Sequence, residues 1–281
     1  MRRPRRLLVF VLASATIAVA VPVALAATTV ITISGATASF PLVELLTHAY
    51  SKAQHNKIKF SVSQGGASVG IADVAAGKVN IGDSSRGPAS TDPPGLDFYP
   101  IAKYFVCVVT NKSNPISNLT ASQVEQIFEG KVRNWSQVSG ATATGTIDVD
   151  SRTSVAGVLT TFQNTLLAGG KVASPPASQF ASEGQLQTAV EKDPSAIGFL
   201  SDYFALNKKI NAVAYNGTAC SVANTVNETY PGFSFFYEVT KGPAVGNAEG
   251  HFINWIQTSK AAKKLIETNW IPLTITKTVS G

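Results

Sequence analysis

The chain has 281 residues, of which 44% are hydrophobic and 14% are charged. Lys and Arg together number 23 and Asp and Glu number 17, but four of the Arg lie before residue 7, so that residues 27–281 carry 19 basic and 17 acidic side chains. This near balance, without a basic run, argues against a protein that binds nucleic acid.

The first 26 residues have the composition of a secretory signal peptide. Four Arg within Met1–Arg6 precede an apolar stretch over residues 7–21, and Ala24-Leu25-Ala26 fits a cleavage site. Ala27 follows, where the precursor of a lipid-anchored protein has Cys, so we expect no lipid anchor. The sequence therefore predicts cleavage near Ala26 and a secreted, periplasmic or cell-surface protein.

After the signal, short strands alternate with amphipathic helices, a pattern typical of an α/β architecture. The first strand–turn–helix unit has a strand over Val30–Ser34 and a helix that Ser39 can cap. In the second unit, alternating apolar residues predict a strand over Ile58–Val62, and a glycine-rich turn leads to a helix after Ser68.

A third unit of the same kind lies in the middle of the chain. Its predicted strand is Ile147–Val149, its turn is Asp150–Ser154, and its helix buries Phe162. Capping-box patterns that begin at Thr120 and Ser182 predict two further helices.

Hydroxyl side chains recur in the turns of the three units. A helix N-terminus presents unpaired backbone N–H groups and a partial positive charge, so three such turns can together hold an oxyanion. Arg152 in the third turn would supply a fixed cation, able to engage two ligand oxygens at once. A helix cap is the alternative role for each hydroxyl. The candidate donors are Thr37, Ser39, Ser68, Ser84, Ser85 and Ser154.

Gly66-Ala67-Ser68-Val69-Gly70 also fits the G-x-S-x-G pattern of a serine hydrolase. A nucleophilic Ser68 would need a histidine base, and His251 follows it in the expected order. However, His251 is predicted to begin a helix, and His48 and His55 lie in or directly after the first helix. A secreted Ser68 hydrolase is therefore the alternative, and the preferred interpretation has no catalytic residue.

The sequence gives no reason to expect a metal or another cofactor. The three His lack the spacing of metal ligands, the two Cys are far apart, and the phosphate-loop lysine is missing. Two interpretations are open for Cys107 and Cys220, namely a disulfide or buried free thiols.

Six segments, in family order, resemble the phosphate-binding, substrate-binding proteins of ABC-type phosphate importers. They are SGATASFP at 34–41, QGGASVGI at 64–71, NIGDSSR at 80–86, LTASQVEQIFEGKVRNW at 119–135, DPSAIGFL at 193–200 and FINWIQTSKAAKKLIETNWIPL at 252–273. The resemblance implies a monomer that binds inorganic phosphate or a similar oxyanion and passes it to a membrane ABC permease, without catalysis.

The resemblance further implies an α/β type 2 periplasmic-binding-protein fold, with mixed sheets and a ligand cleft between two lobes. One lobe would be residues 27–104 with 232–281, and the other would be residues 105–231. The segments Tyr104–Asn111 and Phe233–Thr240 would be the hinge strands.

By resemblance, the ligand contacts fall on Ser39, Phe40, Ser68, Arg152 and Gly157. Thr37, Ser85 and Ser154 are further candidates from the residue pattern. Asp83 is the candidate that sorts anions by protonation, with an ion pair to Arg86 as its alternative role.

The family pattern is incomplete next to Gly157, where Ala156 and Val158 replace two hydroxyl residues. The loss leaves open another oxyanion or an organic acid as the ligand. It also leaves open a relative of the same fold that has no transport role.

Overall fold

The computed structural model describes residues 28–173 and 178–274. The predicted signal peptide, residues 1–26, lies outside the described residues. The strands are β1 Thr29–Gly35, β2 Ile58–Gln64, β3 Ile81–Ser84, β4 Leu96–Thr110, β5 Asn118–Leu119, β6 Asp148–Arg152, β7 Ser178–Phe180, β8 Ala196–Ser201, β9 Asn211–Tyr215 and β10 Phe233–Lys241. The helices are α1 Phe40–Ala53, α2 Ala67–Ala75, α3 Ala121–Phe128, α4 Gly157–Thr165, α5 Glu183–Lys192, α6 Asp202–Ala205, α7 Val222–Val226, α8 Ala248–Thr258 and α9 Lys260–Ile266.

The strands pair in the order β2-β1-β3-β10-β4-β8-β6-β7, and β9 pairs with β4 and β5. The long strand β4 belongs to two groups of strands. Its residues 96–105 pair antiparallel with β10, and its residues 106–110 pair with β8 and β9. Because β1 is parallel to β2 and β3, and β6 to β7 and β8, both groups combine parallel and antiparallel pairs.

Helix α2 packs unusually close to the sheet because two glycines face each other across the contact. A Cβ on Gly70 would lie 2.4 Å from the Ser34 carbonyl oxygen, and a Cβ on Gly82 would lie 2.4 Å from the Gly70 oxygen. Only a residue without a Cβ permits this approach. The contact brings the N-terminus of α2 to the carboxyl end of β1.

The third unit differs from its prediction. Strand β6 continues through Arg152, and α4 begins only at Gly157, so Arg152 lies on a strand and not in a turn. The reason is β7, which pairs Arg152 with Phe180 and extends β6. Both capping boxes, at Thr120 and Ser182, are confirmed.

The two cysteines form a disulfide, which decides between the two interpretations left open by the sequence. Cys107 on β4 and Cys220, after β9, have their Cα atoms 5.7 Å apart. Of the helices in the described part of the chain, none is both long and apolar enough to cross a membrane.

Candidate anion-binding site

Of the nine helices in the described residues, four begin without a side-chain cap: the helices of the three predicted units, and the one-turn helix α6 after Ser201. The N-cap residues Ser39 of α1, Gly66 of α2 and Ala156 of α4 make no side-chain hydrogen bond to the first turn. By contrast, the N-cap side chains of α3, α5, α7, α8 and α9 all accept such bonds. Ser39 therefore occupies the predicted N-cap position, but its side chain does not make the capping bond. An uncapped N-terminus leaves N–H groups of the first turn for acceptors outside the helix, either elsewhere in the protein or in a ligand.

The N-termini of α2 and α4 contact each other. The Ser68 amide, in the first turn of α2, donates to the carbonyl oxygen of Val155, which lies just before α4 (3.1 Å). A Cβ on Gly157, the first residue of α4, would lie 3.0 Å from the Cβ of Ala67 and 2.6 Å from Oγ of Ser85. The α2 turn precedes β4 in the sequence and the α4 turn follows it, so the structure brings together two predicted turns that are distant in the chain.

Arg152 joins the first turn to the third. Its Nη2 donates to Oγ1 of Thr37, which precedes α1 (2.8 Å). The guanidinium also donates to the carbonyl oxygens of Phe180 and Ala181, and it forms an ion pair with Glu183. Four of the five N–H groups therefore have protein acceptors, which leaves one Nη1 hydrogen for a ligand.

The charge of Arg152 is balanced inside the protein. The Arg152 and Glu183 side chains are 1% and 0% exposed, and the second Glu183 oxygen accepts from the amide (2.8 Å) and hydroxyl (2.9 Å) of Ser201. A buried charge is tolerated when it is paired and hydrogen-bonded. The expectation that Arg152 grips two ligand oxygens at once does not fit its partners.

Ser39 points to Asp83. Its hydroxyl donates to Oδ2 of Asp83, and both residues are buried. Burial raises the pKa of the Asp83 carboxyl, and the Ser39 hydrogen bond opposes this rise. Glu238 of β10 is the register partner of Asp83, and burial followed by the Asp83 charge raises the pKa of Glu238.

The predicted alternative role of Asp83, an ion pair with Arg86, is wrong. Arg86 pairs with Asp92, with Nη2 and Oδ1 2.6 Å apart and a second hydrogen bond of 2.9 Å. The hydroxyl of Ser84 donates to the carbonyl oxygen of Arg86 (2.8 Å) and is used within this loop. Asp83 therefore has no basic partner on its own loop.

Ser85 is buried beside Gly157, and its carbonyl oxygen accepts from the Tyr104 hydroxyl (2.5 Å). The Tyr104 hydroxyl is also 2.9 Å from Oγ1 of Thr161 on α4, so Tyr104 connects the Ser85 loop to that helix. The ring of Tyr104 stacks on Phe236 with a centroid distance of 4.2 Å.

The other predicted residues differ in exposure. Phe40, the first residue of α1, is half-buried, as is Ser68. Ser154 is exposed in the turn before α4, so the structure does not bring it into the buried cluster.

The candidate base of the hydrolase alternative, His251, is exposed on α8. His48 is exposed on α1. His55 is exposed in the turn that follows that helix, where its φ is +51°. Nothing in these placements favours a hydrolase.

Two acidic residues of the site, Glu183 and Glu238, were missed from the sequence. Glu183 directly follows the capping Ser182, and acidic residues are common in the first turn of exposed helices. The sequence around Glu183 therefore does not indicate that its side chain is buried. Glu238 does have a signal. It alternates with Phe236 and Thr240 on the buried face of β10, where a charged residue is unexpected.

A family model described as a PBP superfamily domain matches residues 22–263 of the chain. Among curated proteins, the phosphate-binding protein PstS of Bacillus subtilis is 25% identical over 260 residues, which are 89% of this chain and 84% of that protein. Protein SphX of Synechococcus elongatus is 27% identical and covers 86% of this chain and 77% of its own length.

Solved structures give the same result. One from Clostridium perfringens, described as a phosphate ABC transporter substrate-binding protein with bound phosphate, is 25% identical with a TM-score of 0.81, and the alignment covers 87% of this chain and all of that one. An ABC-type phosphate transport receptor from Vibrio cholerae is 27% identical with a TM-score of 0.71, over 86% of this chain and 100% of that one. The predicted two-lobed, mixed α/β type 2 fold is confirmed.

Proposed function

Since the chain belongs to the PBP superfamily, we propose that it is an exported protein that binds inorganic phosphate and delivers it to the permease of an ABC-type importer. Relatives named as phosphate-binding proteins, and related structures from phosphate transport systems, support this assignment. One observation carries it for this chain. The helices of the three predicted units are uncapped, the N-termini of α2 and α4 contact each other, and the buried Arg152 donates to Thr37 just before α1.

The proposed site follows from these contacts. The ligand lies among Ser39, the amide of Phe40, Ser68, the amide of Gly157 and the remaining N–H of Arg152. Thr37 and Ser85 support the site, since Thr37 holds Arg152 and Ser85 lies against Gly157. Ser154 is left out because it is exposed. The site binds and does not transform its ligand.

We propose that the two lobes are residues 27–104 with 232–281, and residues 105–231. Strands β4 and β10 connect them and act as the hinge. Closure then forms the contacts between Thr37 and Arg152 and between Ser68 and Val155. The protein is a monomer that meets its permease transiently, after removal of a signal peptide near Ala26.

Calorimetric titration of the purified chain with phosphate, arsenate and sulfate tests the proposal. We expect saturable phosphate binding. One hydrogen bond to a charged ligand is worth about 1.5–3 kcal/mol, so Ser39→Ala and Ser68→Ala each weaken the affinity by roughly 10- to 150-fold. The control is Ser139→Ala, because Ser139 is exposed and lies outside the three turns. Absence of phosphate binding, or equal effects of all three variants, would refute the assignment.

A further inference from the structure

A pair of buried carboxyl groups lies directly behind Ser39. Asp83 on β3 and Glu238 on β10 are opposite each other in the antiparallel register, and they are 2% and 0% exposed. Side chains at opposed positions of adjacent strands lie on the same face with their Cβ atoms about 5 Å apart. The two carboxyl groups are therefore neighbours within the protein interior.

Within the described part of the chain, three of their four oxygens have no hydrogen-bond donor. Oδ1 of Asp83 and both carboxyl oxygens of Glu238 are buried without a partner, and only Oδ2 of Asp83 is engaged, by Ser39. Two ionised carboxylates in this position would repel each other and remain unsolvated. A proton on Glu238 removes the repulsion and supplies a donor for Oδ1 of Asp83.

Among the described residues, the strands and helix around the pair offer no cation in place of that proton. On β4, the register partner of Glu238 is Tyr99, and Lys103 pairs with Glu228. Strand β1 has no titratable residue. Asp73, the only one on α2, accepts from Ser34 and pairs with Lys78. On β10, Tyr237 is uncharged and half-buried, and Lys241 is exposed at the strand end.

Across the cleft, Arg152 is already paired with Glu183. Burial raises the pKa values of both carboxyl groups, as expected for groups without a basic neighbour.

We propose that Glu238, Asp83 and Ser39 form a proton-sharing chain that decides whether Ser39 donates a hydrogen bond to the bound anion or accepts one from it. This inference rests on the proposed function, because Ser39 is a ligand contact there. It assigns to Glu238 a positioning role that selects the protonation state of the ligand.

The proton-sharing chain of Glu238, Asp83 and Ser39 has two forms that differ by one proton. With one proton on the pair, Glu238 donates to Oδ1 of Asp83. Oδ2 of Asp83 accepts the hydroxyl hydrogen of Ser39, which is the contact present in the structure. Ser39 then offers the ligand only a lone pair, which suits a protonated oxyanion such as hydrogen phosphate. A second proton is taken up from water at Oδ2 of Asp83. The protonated Asp83 then donates a hydrogen bond to Oγ of Ser39. The serine hydrogen then turns to the ligand, which suits a fully ionised oxyanion such as sulfate.

Sulfate is the informative probe because it stays fully ionised from about pH 5 to about pH 8.5, whereas phosphate itself titrates. We expect the sulfate affinity of the purified chain to fall about tenfold or more over this range, which corresponds to the loss of one charge-assisted hydrogen bond. In Glu238→Gln, the amide donates permanently to Asp83 and keeps it ionised. At about pH 5, the sulfate affinity of Glu238→Gln is then as low as that of the wild-type chain at about pH 8.5.

Two variants complete the test. Ser39→Ala removes the ligand-facing end of the proton-sharing chain. Its sulfate binding is therefore weaker and does not depend on pH. This variant tests the inference even if Glu238→Gln does not fold. Glu44→Gln is the matched control, because Glu44 is exposed on α1, and it retains the wild-type profile. Infrared spectroscopy at neutral pH should show a protonated carboxyl band that Glu238→Gln lacks.

The outcomes separate this inference from the proposed function. If the wild-type chain binds no phosphate, the proposed function fails. If it binds phosphate, the inference alone is overturned by a sulfate affinity that is undetectable at about pH 5 or constant with pH. A wild-type profile retained in Glu238→Gln or Ser39→Ala also overturns it.

Discussion

Replacement of Glu183 by alanine should be among the most damaging single substitutions in the chain. The change leaves the guanidinium of Arg152, 1% exposed, without its counter-ion. Removal of one partner from a buried ion pair costs about 3–5 kcal/mol. The amide of Ser201, which donates to Glu183 over 2.8 Å, also loses its acceptor, at about 1–3 kcal/mol. The combined loss approaches the total stability of about 5–15 kcal/mol of a typical domain.

Urea unfolding monitored by circular dichroism measures this loss, with Glu183→Gln as a milder variant that keeps a polar side chain. A double-mutant cycle then isolates the pair. Arg152→Met with Glu183→Leu removes both charges and should recover most of the stability, with a coupling energy above about 2 kcal/mol. A loss below about 1 kcal/mol in Glu183→Ala, or additive effects in the cycle, would refute the reasoning.

Three further predictions concern closure, the disulfide and pH. Gly157→Ala places a Cβ 2.6 Å from Oγ of Ser85 and should weaken phosphate binding at least about tenfold by calorimetry, whereas Gly184→Ala, with no atom within 4 Å, should not. Reduction of the disulfide, which spans 113 residues, should lower the free energy of unfolding by about 4 kcal/mol and leave phosphate affinity unchanged; a large change in affinity would contradict its purely structural role. Burial, then neighbouring acidic groups, raises the pKa of Asp150 to about 7, so the folded chain holds a proton that the unfolded chain has lost. Stability should therefore fall as pH rises from about 4 to about 7, and urea midpoints of Asp150→Asn should show a smaller slope.

The sequence was sufficient to predict the local units of the site. Strand, glycine turn and helix follow each other with clear periodicity around Ser39 and Ser68, and these signals depend only on residues close in the chain. The capping boxes were predictable for the same reason. The resemblance extended these units to a two-lobed fold, which the comparisons confirm.

The partners of the charged residues were not predictable, because they depend on distant elements. Arg152 meets Glu183 because β7 and α5 bring the chain back beside β6 after 31 residues. Arg86 was predicted as a possible partner of Asp83, its neighbour in the sequence, whereas the fold of the following loop brings Asp92 to it. Local patterns contain no information on such long-range choices.

The internal pairing of Arg152 with Glu183 has a consequence for the medium in which this protein works. A pocket that held its anion by net positive charge would attract every small anion and polyanion nearby, and its affinity would decline as salt screened that charge. Here the guanidinium is already compensated, so that capture depends on short-range dipoles at helix ends. We therefore expect the phosphate affinity to change little with salt concentration and chloride to compete weakly, because the site distinguishes anions by their shape and their hydrogen atoms.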